Sequence, residues 1–148
     1  MALRDVLAPW LAADVEHVGS TSVPGLAAKP VLDLMAGMRS LAAADQAVPT
    51  LTARGWFHVP IEVDGQGWRR FLVKPRDGHR YAHLHLAEAH GPQWRVFRLF
   101  RDRLRADSVL KQDYAALKQD LAARLGDRRE AYTDAKAAFI QQALDRPR

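Results

Sequence analysis

Apolar and polar positions alternate along this chain with a period that changes from block to block. Leu3, Val6, Leu7, Trp10 and Leu11 recur at helical spacing, which predicts a helix over Leu3–Ala13. Val15–Val18 reads as a short strand. Gly19–Gly25 (GSTSVPG) reads as a loop, because Gly, Ser, Thr and Pro all interrupt regular structure. Pro30–Met38 (PVLDLMAGM) is apolar except for Asp33, as a buried central strand is. Ser40 is placed to cap a helix running to about Arg54, with Gly55 as its stop. Pro49 inside that span predicts a kink or two short helices. Trp56–Ile61 is a further strand, and Asp64-Gly65-Gln66-Gly67 a turn. Arg69–Lys74 and Tyr81–Ala87 predict a hairpin around Arg76-Asp77-Gly78. From Gln93 the pattern is helical. A helix over Trp94–Ala106 precedes a second, capped by Asp107 or Ser108 and stopped by Gly126. Asp127 and Glu130 have capping-box spacing for a third, running to about Leu144.

This order predicts one α+β domain over residues 1–148. Its small mixed sheet carries helices packed on one face and a helical C-terminal tail. At 148 residues and 48% hydrophobic content, the chain has material for a core without staples. It has no cysteine, which excludes disulfides, thiolate metal sites and cysteine nucleophiles. No apolar run approaches the ~20 residues of a membrane helix, and the start lacks the basic, then apolar, pattern of a signal peptide. The expected location is cytoplasmic, with no membrane partner. The charge of +5 is unevenly spread: residues 69–105 hold 10 basic against 3 acidic side chains, whereas residues 1–68 hold 4 against 7. A basic middle favours an anionic partner such as a small phosphorylated ligand, and a solvated arginine face is the plainer alternative. Aromatic residues interleave with the arginines, but no nucleic-acid motif is present and nucleic acid is not the expected partner.

The densest candidate chemistry lies in Gly19–Asp33. Gly19 allows close backbone approach. Ser20, Thr21 and Ser22 supply three hydroxyls of the kind that meet phosphate oxygens, and Lys29 adds a cation. Asp33, alone on an apolar strand, is costly to bury unless a metal ion or an arginine pairs with it. Hydroxyl loop and carboxylate together make a sensible site for phosphates and a divalent cation. A Ser-rich turn with an arginine-paired aspartate is the alternative.

Val18-Gly19-Ser20 and Leu32-Asp33-Leu34, with twelve residues between Ser20 and Asp33, match in order and spacing the core pattern of nucleotidyltransferases. The fuller string EHVGSTSVPGLAAKPVLDL resembles the GrpB family. So do Arg69-Arg70-Phe71, His83-Leu84-His85-Leu86, FRDRLRAD, YAALKQDLA and AYTDAKAAFI, so that the resemblance spans nearly the whole chain. It implies a nucleotidyltransferase-like fold and a nucleoside triphosphate as substrate. It also implies a divalent metal (Mg or Mn, with Zn as a further option) and nucleotidyl transfer to a small acceptor. Active members of that superfamily place a second acid two residues after the first, where this chain has Met35. A later strand that normally brings a third acid here offers His83 and His85. With Asp33 these are the candidate catalytic residues, and with Asp33 and Glu16 the candidate metal ligands. The histidines can bind a transition metal, donate to phosphate oxygens, or serve as acid–base groups. Gly19, Ser20, Thr21, Ser22, Lys29, Arg69, Arg70, Arg98 and Arg101 are the candidate phosphate and nucleotide contacts. Arg103 and Arg105 read as solvated, and His17, His58, His79 and His90 carry no expected role. The alternative is a catalytically degenerate accessory module that binds a nucleotide or phosphometabolite, related to the domain fused to dephospho-CoA kinases.

Overall fold

The computed structural model describes residues 2–28, 30–126 and 128–146, without the side chain of Arg129. The expectations placed on Lys29 and Asp127 lie outside the described residues. Helix α1 (Leu3–Leu7) and a 3-10 turn (Ala8–Trp10) lead into β1 (Leu11–Val18). Strand β2 (Leu32–Met38), helix α2 (Leu41–Thr52), strand β3 (Phe57–Val59) and the short helix α3 (Ile61–Asp64) follow. Strands β4 (Arg69–Arg76) and β5 (His79–Glu88) precede helices α4 (Pro92–Ala106), α5 (Ser108–Leu125) and α6 (Arg129–Asp145).

The predicted first helix stops early. Pro9 has no N–H to donate to the Asp5 carbonyl, and residues from Leu11 onward pair instead with β2. Pro49, by contrast, leaves α2 as one helix. It sits in the last turn on the exposed side above Asp45, where the carbonyl left without an N–H partner is open to solvent. The Ser40 hydroxyl caps α2 through the Ala43 N–H at 3.0 Å, and Asp107 caps α5 through Val109 and Leu110. The hairpin turns on Asp77 and Gly78, both with positive φ (52° and 77°), the two-residue geometry that matches strand twist.

The sheet is mixed, in the order β1-β2-β5-β4-β3. Strands β2 and β5 run parallel, and the other neighbours are antiparallel. Helices cover both faces, which corrects the expectation of one. On the first face, α1 and α2 bury Leu7, Met38, Leu51, Leu72, Leu84 and Leu86. On the second, Trp94 and Phe97 of α4 pack on Val18 and Met35. Helices α4, α5 and α6 then enclose a separate cluster of Phe100, Leu104, Leu110, Tyr114 and Ala143, into which the loop residues Val23 and Leu26 insert. Strand alternation sends Asp33, Met35, His83 and His85 to the second face, and Leu34, Leu84 and Leu86 to the first.

Leu51→Ala, at a position with no solvent exposure, is expected to destabilise the fold by ~2–5 kcal/mol. Ser40→Ala should cost about 1 kcal/mol through the lost cap. Urea unfolding of both variants checks that order.

Candidate functional site

The site is built across three strands. Register places Asp33 beside His83 and Met35 beside His85 on β2 and β5, with Phe71 of β4 opposite His85. Both imidazoles converge on one carboxylate oxygen. His83 Nδ1 and His85 Nε2 each lie 3.3 Å from Asp33 Oδ1. The other oxygen faces the loop, since a Cβ on Gly19 would stand 2.7 Å from Asp33 Oδ2. Gly19 has φ 71° and ψ −174°, a conformation nearly restricted to glycine. It is required here twice over, by backbone geometry and by the carboxylate pressed against it.

Burial works to raise the Asp33 carboxyl, but hydrogen bonds to His83 and His85 outweigh it. They hold the group well below the usual carboxylate range. Asp33 is therefore an anion, with 30% of its side chain exposed. His85 is held below its ordinary value, first by burial and then by the Arg69 cation, against the opposing pull of Asp33. It is neutral in the folded protein. Arg69 Nη1 stands 2.6 Å from His85 Nδ1, and its Nε and Nη2 grip Asp64 Oδ2 and Oδ1 at 3.0 and 2.5 Å. Phe71, Phe97 and Trp68 pack around His85.

The loop after β1 forms a 3-10 turn at Ser20–Ser22, and each of its hydroxyls is engaged. Ser22 donates to the Gly19 carbonyl at 2.5 Å and is buried. Thr21 Oγ1 meets His17 Nε2 at 2.8 Å. Ser20 Oγ accepts from Lys118 Nζ at 2.7 Å and hydrogen-bonds Tyr114, whose hydroxyl burial pushes up to about 12. Four cations of α4 and α5 donate to oxygens of this segment. Arg101 reaches His17 O, Arg105 Ser22 O, Lys111 Pro24 O, and Lys118 both Ser20 Oγ and Ala27 O.

The structure thus gathers Gly19, Ser20, Thr21, Ser22, Asp33, His83, His85 and Arg69 at one end of the sheet. It places others elsewhere. Arg70 points to the α2 face and pairs with Asp45 at 2.6 Å, because neighbouring strand residues face opposite ways. Glu16 is taken by Arg98 at 2.6 Å and by Arg101 at 3.2 Å, so its carboxylate is already paired by two guanidiniums. Asp33, His83 and His85 meet one another, but among the described residues no group of three or more His, Asp or Glu is arranged to hold a metal ion by itself. Arg103 and Arg105, read from the sequence as solvated, bind carbonyls: Arg103 those of Ala143 and Arg146, and Arg105 that of Ser22. Sequence reasoning assigns no site role to Asp64 or His17. Lys118 shares a helix face with Tyr114 at i, i+4, which was a visible signal. Asp64 had none beyond lying in a turn close to Arg69.

Gly19→Ala should destabilise the protein by about 1–3 kcal/mol from backbone conformation alone, with displacement of Asp33 in addition, measurable by urea unfolding. Stability should also fall on acidification. His85 and His17 have lowered folded values, so the unfolded chain binds protons more readily below about pH 6.5. Asp33, lowered from 3.8, withdraws its contribution as the pH falls below about 4. Urea midpoints that stay level from neutral pH to pH ~4 would contradict this.

The comparisons with known proteins agree over most of the chain. The family model described as GrpB protein matches residues 1–146. UPF0157 protein YqkA of Bacillus subtilis is 36% identical over 141 residues, covering 95% of this chain and 40% of that protein. A dephospho-CoA kinase of Mycolicibacterium paratuberculosis is 31% identical over 154 residues, covering 89% of this chain and 38% of that protein. The chain therefore spans well under half the length of both relatives. The crystal structure of conserved protein GrpB from Enterococcus faecalis superposes with a TM-score of 0.76 at 30% identity, over 95% of this chain and 82% of that one. Among the described residues, no helix is long and apolar enough to cross a membrane. With the family model matched from residue 1 to residue 146, the chain belongs to the GrpB family.

Proposed function

We propose that this chain binds a nucleoside triphosphate together with one divalent cation at Asp33 and the Gly19–Ser22 turn. One observation carries the reading. Asp33 is kept ionised by two imidazoles on Oδ1, while Oδ2 lies against the glycine that opens the hydroxyl-rich turn. A phosphate at that turn would be repelled by the carboxylate unless a cation stood between them. Mg²⁺ is commonly held by one or two carboxylates plus substrate phosphates and water, and Asp33 fits that donor set. Such a cation would supply the charge that joins carboxylate to phosphate.

The histidines do not fit as further ligands. A guanidinium can only donate, so Arg69 makes Nδ1 of His85 the acceptor and leaves the proton on Nε2, the nitrogen facing Asp33. A metal needs that nitrogen bare. His85 is a donor that orients Asp33, and His83 does the same from the exposed side. Ser20 with Lys118, and Thr21 with His17, line the turn from the opposite wall.

This donor set favours binding over transfer. A two-metal phosphoryl-transfer site needs several carboxylates, and Met35, where a second would stand, is fully buried. The similarity to part of a dephospho-CoA kinase is in keeping with an accessory nucleotide-binding module. Nucleotidyl transfer to a small acceptor is the second reading, favoured by the convergence of Asp33, His83 and His85 on one point.

Calorimetry with ATP, GTP, CTP, UTP and dephospho-CoA, each with and without Mg²⁺ or Mn²⁺, tests both. Cation-dependent binding of a triphosphate is expected. Asp33→Asn should weaken it about tenfold or more, the scale of one charge-assisted contact. Absence of binding by all of them sinks the proposal. Pyrophosphate release that requires an added acceptor, yields the nucleotidylated acceptor and disappears in Asp33→Asn would establish transfer.

A further inference from the structure

Asp64 ends a chain of four polar side chains that reaches the centre of the site. Its side chain is 7% exposed at the end of α3. Both of its oxygens take guanidinium hydrogens, from Arg69 Nε at 3.0 Å and Nη2 at 2.5 Å. This two-point grip fixes the plane of the guanidinium. The ring of Phe71 lies 4.2 Å beneath its central carbon and Trp68 5.2 Å away, which hold it from the faces. The remaining nitrogen, Nη1, then meets His85 Nδ1 at 2.6 Å.

Only one arrangement of protons satisfies this geometry. With the proton of His85 on Nδ1, two N–H groups would oppose each other at 2.6 Å, and a lone pair on Nε2 would face the Asp33 carboxylate. With the proton on Nε2, both contacts become hydrogen bonds. A buried ion pair is by itself weak evidence for a stabilising role. Here the pair has a second effect, since it dictates which nitrogen of a neighbouring imidazole donates.

We infer that Asp64 and Arg69 are positioning residues that lock His85 as an Nε2–H donor to Asp33 and so aim the second oxygen of that carboxylate at the Gly19–Ser22 turn. The lock itself stands on hydrogen-bond geometry. Its effect on ligand binding rests on the proposed nucleotide site.

Long-range proton–nitrogen spectra of the ¹⁵N-labelled protein, taken without ligand at alkaline pH, read the His85 tautomer directly. In the unsubstituted protein a single Nε2–H tautomer is expected. Arg69→Met should give a mixture of both tautomers and weaken triphosphate·Mg²⁺ binding by about tenfold, the usual scale for an outer partner of a metal-site residue. Asp64→Asn, which keeps size and one acceptor oxygen, should move both readouts in the same direction by less. Arg69→Lys should not restore them, because an ammonium cannot grip both Asp64 oxygens and still reach His85. A single Nε2–H tautomer with unchanged affinity in Arg69→Met and Asp64→Asn overturns the inference. If Arg69→Met does not fold, Asp64→Asn carries the same decision. If no nucleotide binds the unsubstituted protein, the nucleotide reading fails and the spectra still decide the lock. One tautomer becoming two on substitution supports it, and no change refutes it.

Discussion

A carboxylate in the middle of an apolar sheet is the constraint around which this end of the molecule is arranged. Asp33 stands on an interior strand with aliphatic neighbours, where an isolated charge is expensive. The chain meets that cost with imidazole donors rather than with a guanidinium or ammonium in direct contact. His83 and His85 point N–H groups at Oδ1, and guanidiniums stand one residue further out, Arg69 behind His85 and Arg80 behind His83. Arg69 is in turn compensated by Asp64. Charges therefore alternate along the series Asp64, Arg69, His85, Asp33 with an uncharged ring in the third place. A direct Arg–Asp33 pair would have occupied the carboxylate. The relay keeps Asp33 negative and leaves its second oxygen against the loop.

The loop is held just as specifically, from the opposite side. Val23 and Leu26 are buried among the C-terminal helices, and Arg101, Arg105, Lys111 and Lys118 donate to oxygens between His17 and Ala27. The acceptors are carbonyls and a hydroxyl, so these bonds draw on the basic charge without cancelling it. Arg101 also meets Glu16 and Asp102. The helical tail is thus part of the site's wall. Ser20 is the joint, since its hydroxyl belongs to the turn and is bonded by both Tyr114 and Lys118.

What was legible in the sequence was local. The caps at Ser40 and Asp107, the Asp77-Gly78 turn and the Gly19–Asp33 spacing each depend on residues a few positions apart, or on one strand after one loop. What escaped depends on pairing across the chain. Residues 11–13 fit a helical period as well as a strand, and pairing with β2 decided between them. Arg69 and Arg70 are equal in composition and opposite in direction, and only the register of β4 against β5 tells which one meets His85. Glu16 is on the proper face for a ligand, yet α4 supplies two arginines to it first. Asp64 was invisible because its role passes through Arg69 to a histidine on another strand.

In the proposed reading, His83 and His85 on β5 stand where further acids are expected, and this arrangement gives that difference a physical meaning. Three carboxylates on one face would repel one another and require cations to coexist. One carboxylate flanked by two imidazoles is stable without any cation, and it remains an anion because the imidazoles favour its charged form. In the proposed reading, the protein's own side chains therefore orient a carboxylate oxygen before a ligand arrives. Such pre-organisation suits recognition, where the ordering cost has been met in advance of binding. It suits two-metal chemistry poorly, because the negative charge that would hold a second ion is absent. In the proposed reading, Met35 and the His83–His85 pair belong together: the same replacements that lower the charge of the site make its remaining aspartate self-sufficient.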